Sequence, residues 1–462
     1  MKKKWLALAL ITALALSATA CSKGEVADGS IVASSEVASD AVEGTAEGAT
    51  ENIEFPAEVE IAGRTYSTDE TNLYIAGWET PLTDADLENL RYMVNLEVLH
   101  ITYAELTDIS FVENMTGLTE LNLSNNTIVD ITPLSELTNL TGLYLSDNLI
   151  KEIDALAGLS NVQELDLSKN DIEGIYALEG MTDLVALDLS ENYVWDLEPL
   201  AGLTNMEGLI LSDNDIMSIE ELSDMTELCY LDLYSNKVEK IDALAGLDEL
   251  EYLDLSWNDI DDLTPVADLT DLTYLNVAVN DVQDIEVVGN LTNLESLYLG
   301  GNDIEDISSV AGLTKLDHLE LWENQITDIS PVAGLTNLTD LNLNDNCITS
   351  IKALGGLVNL EDLELSKNDI TDLTPISGMT KLEDLYIMSN NQLSDLTPLA
   401  GLINLTNINM RTTMVSNLKP LYGLTNLKAI HVDTTYITTE EAEAFSAVLP
   451  DCWIEWFEEP IE

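Results

Sequence analysis

The chain has 462 residues, with 85 acidic against 17 basic side chains and a formal net charge of −68. Self-repulsion of this size keeps a protein in solution and argues against binding to nucleic acid or to an anionic membrane surface. It favours cationic partners or divalent ions as a long-range bias. Such a length corresponds to about three ordinary domains, unless the chain is a repeat array that grows in one dimension.

Residues 1–20 predict an export signal. The stretch MKKKWLALALITALALSATAC begins with lysines, continues with an apolar run and ends in small residues before Cys21. Its last four residues are similar to the lipobox of bacterial lipoproteins, which implies that Cys21 is lipidated and becomes the mature N-terminus. The same residues fit an ordinary A-x-A cleavage site, which would leave a freely secreted protein. Residues 21–53 have no aromatic side chain and are expected to be a disordered tether.

A repeat of 22 residues fills most of the chain. Asparagines follow one another at this spacing without a break. They are Asn126, Asn148, Asn170, Asn192, Asn214, Asn236, Asn258, Asn280, Asn302, Asn324, Asn346, Asn368 and Asn390. If the apolar residue eight places before each asparagine is position 0, apolar residues return at positions 3, 5, 10, 13, 16 and 19. This register predicts an array of sixteen units over residues 96–437, in which Ala104, Thr413 and Thr435 replace the asparagine in the three terminal units.

Each unit is predicted as a strand, a turn and a short return segment. Positions 3 and 5 alternate with polar neighbours, as in a strand with one buried face. The later apolar positions come three apart, as in a 3₁₀-like segment. Position 14 is often Ser, Thr or Asp before a proline, which is a helical start signal and predicts that position 14 caps the turn. No unit can bury its leucines alone, so the units must stack, and a column of asparagine amides can satisfy backbone groups at the turns.

The stretch LTELNLSNNTIVDITPLSELTNL, residues 118–140, is similar to the 22-residue leucine-rich repeat of bacterial internalin-type surface proteins. The resemblance implies an α/β fold class, a curved leucine-rich repeat solenoid with a parallel β-sheet on its concave face and short 3₁₀ or irregular return segments. It also implies that the concave face binds proteins or glycans. Residues 54–95 and 438–462 are expected to cap the two ends of the array, the second with a helix and a final strand.

Strand positions 2, 4, 6 and 7 are expected to line the exposed face of the sheet, where folding needs no particular residue. Seven aromatic residues occupy them in the five consecutive units from Leu228 to Leu316. Tyr230, Tyr252 and Tyr274 share position 2, so we expect them to stand side by side. The candidate ligand-binding set is Tyr230, Tyr234, Tyr252, Asp232, Asp254, Trp257, Tyr274, Tyr298, His318, Glu320 and Trp322. The alternative interpretation is that the tyrosines stack only to stabilise the sheet.

No catalytic residue, metal site or cofactor is predicted. The three histidines, His100, His318 and His431, share the exposed face but lie far apart in the array. Cys229 and Cys347 are more than five units apart, too far for a disulfide, and are predicted to be free thiols. Close carboxylate pairs at position 4 arise by default in so acidic a chain, and no enclosed pocket is implied. No nucleophile elbow, P-loop, CxxC or HExxH motif occurs.

Aspartates at positions 9 and 12, such as Asp259, Asp284 and Asp306, are expected to be solvated loop charge, with weak Ca²⁺ binding as the alternative. We expect an exported, lipid-anchored, monomeric surface protein that binds a protein partner. A glycan-binding module on the same aromatic residues and a structural spacer remain open. Asp232, Asp254 and Glu320 would select a cationic or hydroxyl-rich partner, and the membrane would be contacted only through the lipid anchor.

Overall fold

The structure of the chain, a computed structural model, describes residues 56–79, 81–433 and 435–456. The predicted signal segment, Cys21 and the predicted tether lie outside these residues. The described part begins with an antiparallel hairpin of β1 (Glu58–Ile61) and β2 (Arg64–Ser67). Helix α1 (Asp84–Leu90) follows, and it starts with a capping box in which Thr83 and Asp86 bond each other's backbone N–H groups. Asp86 Oδ1 also accepts from Ala62 N at 2.9 Å, which ties the helix to the hairpin.

One parallel sheet of 18 strands forms the body of the molecule. Its strands are β3 (Asn72–Ala76), β4 (Val98–Thr102), β5 (Glu120–Asn122), β6 (Gly142–Tyr144), β7 (Glu164–Asp166), β8 (Ala186–Asp188), β9 (Gly208–Ile210), β10 (Tyr230–Asp232), β11 (Tyr252–Asp254), β12 (Tyr274–Asn276), β13 (Ser296–Tyr298), β14 (His318–Glu320), β15 (Asp340–Asn342), β16 (Asp362–Glu364), β17 (Asp384–Tyr386), β18 (Asn407–Asn409), β19 (Ala429–His431) and β20 (Trp453–Glu455). Each strand pairs with the next along the chain, so Leu253 stands opposite Leu231 and Leu275. Strands β4 to β19 belong to the sixteen predicted units, and the predicted solenoid with a parallel sheet is confirmed.

Short 3₁₀ helices form the return segments. They run over Ser110–Val112, Thr132–Leu134, Asp154–Leu156, Tyr176–Leu178, Glu198–Leu200, Glu220–Asp224, Asp242–Leu244, Thr264–Val266, Glu286–Asn290, Ser308–Gly312, Ser330–Gly334, Lys352–Gly356, Thr374–Gly378, Thr397–Gly401 and Lys419–Leu421. All but one begin at repeat position 14, and Thr397 comes one residue later because its unit has an inserted residue. Several carry proline as their second residue. Helix α2 (Thr439–Val448) and β20 end the described part, with Phe445 of α2 fully buried.

The core is a continuous column of the repeated apolar positions. In the unit that starts at Leu250, the six apolar residues that follow it are Leu253, Leu255, Ile260, Leu263, Val266 and Leu269. All seven side chains are at most 1% exposed. Burying one such side chain contributes about 1.5–3 kcal/mol. Because these residues pack on the same residues of the units before and after, the free energy comes from stacking.

The asparagine at position 8 satisfies the backbone where each strand ends. Asn258 Oδ1 accepts from Val238 N at 2.9 Å, and its Nδ2 donates to Leu233 O at 2.9 Å and Leu255 O at 3.0 Å. The same contacts recur in the neighbouring units, as at Asn236. The predicted asparagine ladder is confirmed. A second ladder was not predicted: asparagines at position 21 donate to carbonyls of the preceding unit. They include Asn139, Asn161, Asn205, Asn293, Asn337 and Asn359.

The turn-capping residue is at position 12, which corrects the prediction of position 14. Asp262 Oδ1 accepts from Thr264 N at 2.8 Å, and Asp284 and Asp306 make the same bond to the residue two places on. The aspartate carboxylate reaches this N–H because the residue between them turns the chain, as in other Asx turns. These bonds hold the pKa of Asp262 below its usual value. The aspartates of position 12 are exposed on the loops, as expected, and they also have a structural task that was not predicted.

Candidate functional site

The tyrosines of position 2 form a stacked ladder on the solvent-facing side of the sheet. The ring centroids of Tyr230 and Tyr252 are 4.1 Å apart with planes at 5°, and those of Tyr252 and Tyr274 are 4.2 Å apart at 10°. Tyr298 continues the row from the neighbouring column, at 5.2 Å and 40° from Tyr274. The in-register parallel strands place the rings at this spacing, and the predicted side-by-side arrangement is confirmed. Both faces of the Tyr252 ring are covered, so its edge and hydroxyl are what a ligand could contact.

Trp257 is the most exposed aromatic residue of the predicted set, at 57%. It precedes the ladder asparagine, at position 7, where the backbone has positive φ throughout the array; φ is 57° at Trp257, 59° at Asn125 and 66° at Gly301. This left-handed conformation is unfavourable for a bulky side chain and suits Gly and Asn. Tyr234, 37% exposed, stands at position 6 of the preceding unit. These two side chains therefore offer apolar surface next to the ladder that folding does not require.

Trp322 is packed against the neighbouring unit. A Cβ atom on Gly300 would lie 2.2 Å from Trp322 Cε2, so the indole lies directly over the Gly300 backbone. A side chain at Gly300 would displace the ring, which explains a glycine at a position that carries serine in many units. Glu320 lies two residues before Trp322, and burial raises the pKa of its carboxyl while a hydrogen bond from the indole lowers it. This packing over Gly300 holds the Trp322 indole in place beside the other aromatic residues of the predicted set.

Asp254 is buried, which corrects the expectation that it lies exposed. It is 7% exposed, and its Oδ1 accepts from Ser256 N at 2.9 Å and from Ser256 Oγ at 2.5 Å. Asn276 Nδ2 donates to Oδ2 at 2.9 Å. Asp166 and Asp188 are held in the same way by serines two residues on. The Asp254 carboxylate therefore bonds to Ser256 just beyond its own strand, and it holds the Asn276 side chain in position.

The other predicted polar residues remain accessible in part. Asp232 is half-buried and accepts from Tyr234 N at 2.9 Å, and burial raises its pKa to about 7. His318 Nδ1 lies 2.7 Å from Asp317 Oδ1. Beyond His318 the position-2 column becomes acidic, with Asp340, Asp362 and Asp384 on consecutive strands. Burial, then repulsion from Asp340 and Asp384, raises the pKa of Asp362 to about 7.

Chemistry other than binding has little support in the described part of the chain. Within residues 56–79, 81–433 and 435–456, no group of three or more His, Cys, Asp or Glu side chains could hold a metal ion. His100 pairs with Glu120 and His431 with Glu455, at opposite ends of the sheet. Among the described residues, Cys229, Cys347 and Cys452 are thiols that form no disulfide, as predicted for the first two.

A group of exposed apolar side chains on the flank of the array was not predicted. Trp195 and Met217 are 63% and 65% exposed and occupy position 11 of consecutive units, just after the asparagine ladder. They line a cavity of about 500 Å³. Tyr193 is exposed in the same unit as Trp195, and Tyr176 is exposed in the unit before it. The signal was present in the sequence: position 11 carries Thr327, Thr349 and Thr371 in later units, so Trp and Met there depart from the repeat.

Comparisons with known proteins agree with this architecture. The chain matches the family described as "Leucine Rich repeats (2 copies)" over residues 94–136, 160–202, 270–312 and 358–401. It matches the family described as "Leucine rich repeat" over 116–172, 217–260 and 314–370. An internalin from Listeria monocytogenes is similar at 31% identity, with 74% of this chain and 93% of that chain covered and a TM-score of 0.62. The chain belongs to the leucine-rich repeat family.

Two further leucine-rich repeat structures are similar. A leucine-rich repeat protein from Leptospira interrogans shares 27% identity, with 80% of this chain and 97% of that chain covered and a TM-score of 0.72. The plant peptide hormone receptor RGFR1 in complex with RGF2 shares 20% identity over 85% of this chain and 67% of that chain, with a TM-score of 0.70. No curated protein matches the chain.

Leucine-rich repeat proteins are typically non-enzymatic binding scaffolds, and the internalin-like repeat indicates a protein-binding or adhesion-type role at an extracellular or surface location. Among the described residues, no helix combines the length and apolarity needed to span a bilayer.

Proposed function

We propose that this leucine-rich repeat protein recognises a protein or peptide partner through the aromatic patch of its concave face, formed by Tyr230, Tyr234, Tyr252, Trp257, Tyr274, Tyr298 and Trp322. The observation that carries the proposal is the exposed Trp257, at φ 57°. An indole held in an unfavourable backbone conformation and left in solvent does not stabilise the fold. Exposed aromatic side chains anchor interfaces, because they bury a large area with few rotamers to fix.

The stacking of the tyrosines supports a polypeptide partner over a glycan. A sugar stacks on an open aromatic face, whereas Tyr230 and Tyr274 cover both faces of Tyr252. What the ladder offers is a row of ring edges and hydroxyl groups, which suits hydrogen bonding to a peptide. The receptor in complex with RGF2 supports the proposal through its fold, which accommodates a bound partner.

The charges around the patch support a cationic partner. Asp232 and Glu320 flank the tyrosines, and the acidic column of Asp340, Asp362 and Asp384 extends from it. A net charge of −68 steers cationic molecules toward the whole surface. Asp254 contributes indirectly, because it is buried and its carboxylate accepts a hydrogen bond that holds the Asn276 side chain in place.

We also propose that the protein is exported and anchored through a lipid on Cys21. Mass spectrometry of the mature N-terminus would distinguish this from free secretion.

The proposal is tested by comparing the proteins that the full chain and its variants capture from surface extracts. Trp257→Asn is the test variant, because Asn125 occupies the same repeat position at nearly the same φ. Val129→Thr, at position 11 on the flank of an earlier unit and 55% exposed, is the matched control. We expect a protein that the parent and Val129→Thr capture equally and that Trp257→Asn loses at least tenfold. Equal capture by Trp257→Asn would refute the patch, and binding only on a glycan array would favour the glycan alternative.

A further inference from the structure

Exposed apolar side chains line a cavity on the flank of the array, away from the aromatic patch. Trp195 and Met217 present most of their surface to solvent at the mouth of the cavity of about 500 Å³. Folding does not need them, because threonine stands at the same position in three later units and Glu239 in the next one. Exposed apolar side chains that line a concavity are typical of contact sites.

The carboxylates of this cavity differ in whether they have partners. Asp196 accepts from the Tyr176 hydroxyl at 2.8 Å and from Glu198 N at 3.0 Å. Asp215 forms an ion pair with Lys237. Glu221 also lines the cavity, and its Oε2 is buried with no hydrogen-bond partner among the described residues.

A buried carboxylate oxygen without a donor is unfavourable by the desolvation penalty of the group, which is larger for charged groups than for neutral ones. Glu221 as a residue is only half-buried and lines the cavity, so a rotation of its side chain turns this oxygen toward the cavity, where a ligand can supply the missing donor. Because Asp196 and Asp215 are already bonded, Glu221 is the acceptor that such a ligand would satisfy.

We propose that this flank cavity binds an arginine side chain of a partner polypeptide. The planar guanidinium stacks on aromatic faces and donates in a fork that matches a carboxylate, so Trp195 and Glu221 together fit it better than they fit an ammonium group. The flexible thioether of Met217 packs against the arginine stem. The acidic surface of the chain raises the local concentration of such a ligand.

The probe is the peptide acetyl-Gly-Leu-Arg-Leu-Gly-amide, compared with its neutral citrulline analogue at about 150 mM salt, where long-range attraction is screened. Binding is followed through the ¹³C methyl resonance of Met217, which lies in the site. We expect this resonance to shift with the arginine peptide, and the affinity to fall about fivefold or more with citrulline.

Trp195→Thr separates specific binding from general attraction to an acidic protein, since it leaves the charge unchanged. We expect Trp195→Thr and Glu221→Gln each to weaken binding about fivefold. The matched control is Val129→Thr, at position 11 of an earlier unit and 55% exposed, which we expect to bind as the parent does. Far-UV circular dichroism verifies that each variant is folded. Absence of a Met217 shift, equal affinity for the citrulline peptide, or unchanged affinity in Trp195→Thr would overturn the proposal.

Discussion

The two tryptophans of the concave patch should respond to mutation in opposite ways. Trp257 is 57% exposed at φ 57°, where a bulky residue is unfavourable by about 1 kcal/mol and asparagine is better accommodated. Trp257→Asn removes little buried area and relieves the backbone, so we expect the free energy of unfolding to rise by about 0.5 kcal/mol. Trp322→Ala leaves the space over Gly300 empty, and we expect a loss of about 2 kcal/mol for this half-buried ring.

Urea unfolding followed by far-UV circular dichroism measures both values, and partner capture is measured on the same preparations. For Trp257→Asn we expect a stability at or above that of the parent together with a loss of capture of at least tenfold. A destabilisation above about 1 kcal/mol in Trp257→Asn would refute the reasoning, because the indole would then have a structural task. A Trp322→Ala variant as stable as the parent would show that the packing over Gly300 contributes nothing.

Three further predictions follow from the same contacts. Tyr252→Ala breaks two stacked contacts and should lower the free energy of unfolding by about 2–3 kcal/mol, more than Tyr298→Ala, which breaks one tilted contact. Asn258→Ala leaves the buried Val238 N–H without its acceptor and should lower the free energy of unfolding by about 2 kcal/mol, whereas the exposed neighbour variant Asp259→Ala should change it by less than about 0.5 kcal/mol in the same urea titration. The urea midpoint should rise as pH falls from 8 to 6: Asp362, with a folded pKa near 7 against 3.8 for the free side chain, is uncharged in the folded state below pH 7 and so stops opposing folding. Asp362→Asn should reduce this pH dependence, and a midpoint that falls between pH 8 and 6 would contradict the assignment.

The repeat period explains why so much of the fold could be predicted. A strict spacing of 22 residues fixes which side chains share a column, so the core, the asparagine ladder and the stacked tyrosines all follow from it. The position of a residue within a column does not determine how deeply its side chain is buried. Asp254 and Asp232 occupy the same column, yet Asp254 is buried, because Ser256 and Asn276 donate hydrogen bonds to it. Two residues after Asp232 the chain has Tyr234 in place of a serine, and Asp232 is only half-buried.

The exposed apolar residues on the flank of the array were not predicted, for a different reason. Trp195 and Met217 stand on the turns and not on the sheet face, and their departure from the repeat is visible only against the threonines and charged residues of other units. The capping task of the aspartates at position 12 was not predicted, because a hydrogen bond from the N–H two residues on to the side chain leaves no periodic trace beyond the acidic residue itself.

The array makes the two proposed sites independent of each other. Each unit of a solenoid contacts only its neighbours, so a substitution perturbs a few units and leaves distant ones unchanged. Trp195 and Trp257 lie almost three units apart and on different surfaces, the turn flank and the sheet face. Trp195→Thr should therefore leave binding at the patch intact, and Trp257→Asn should leave arginine binding intact. If either variant impaired both, the two surfaces would have to contact one ligand, and a single extended basic polypeptide running from the sheet face over the turns would be the partner to look for.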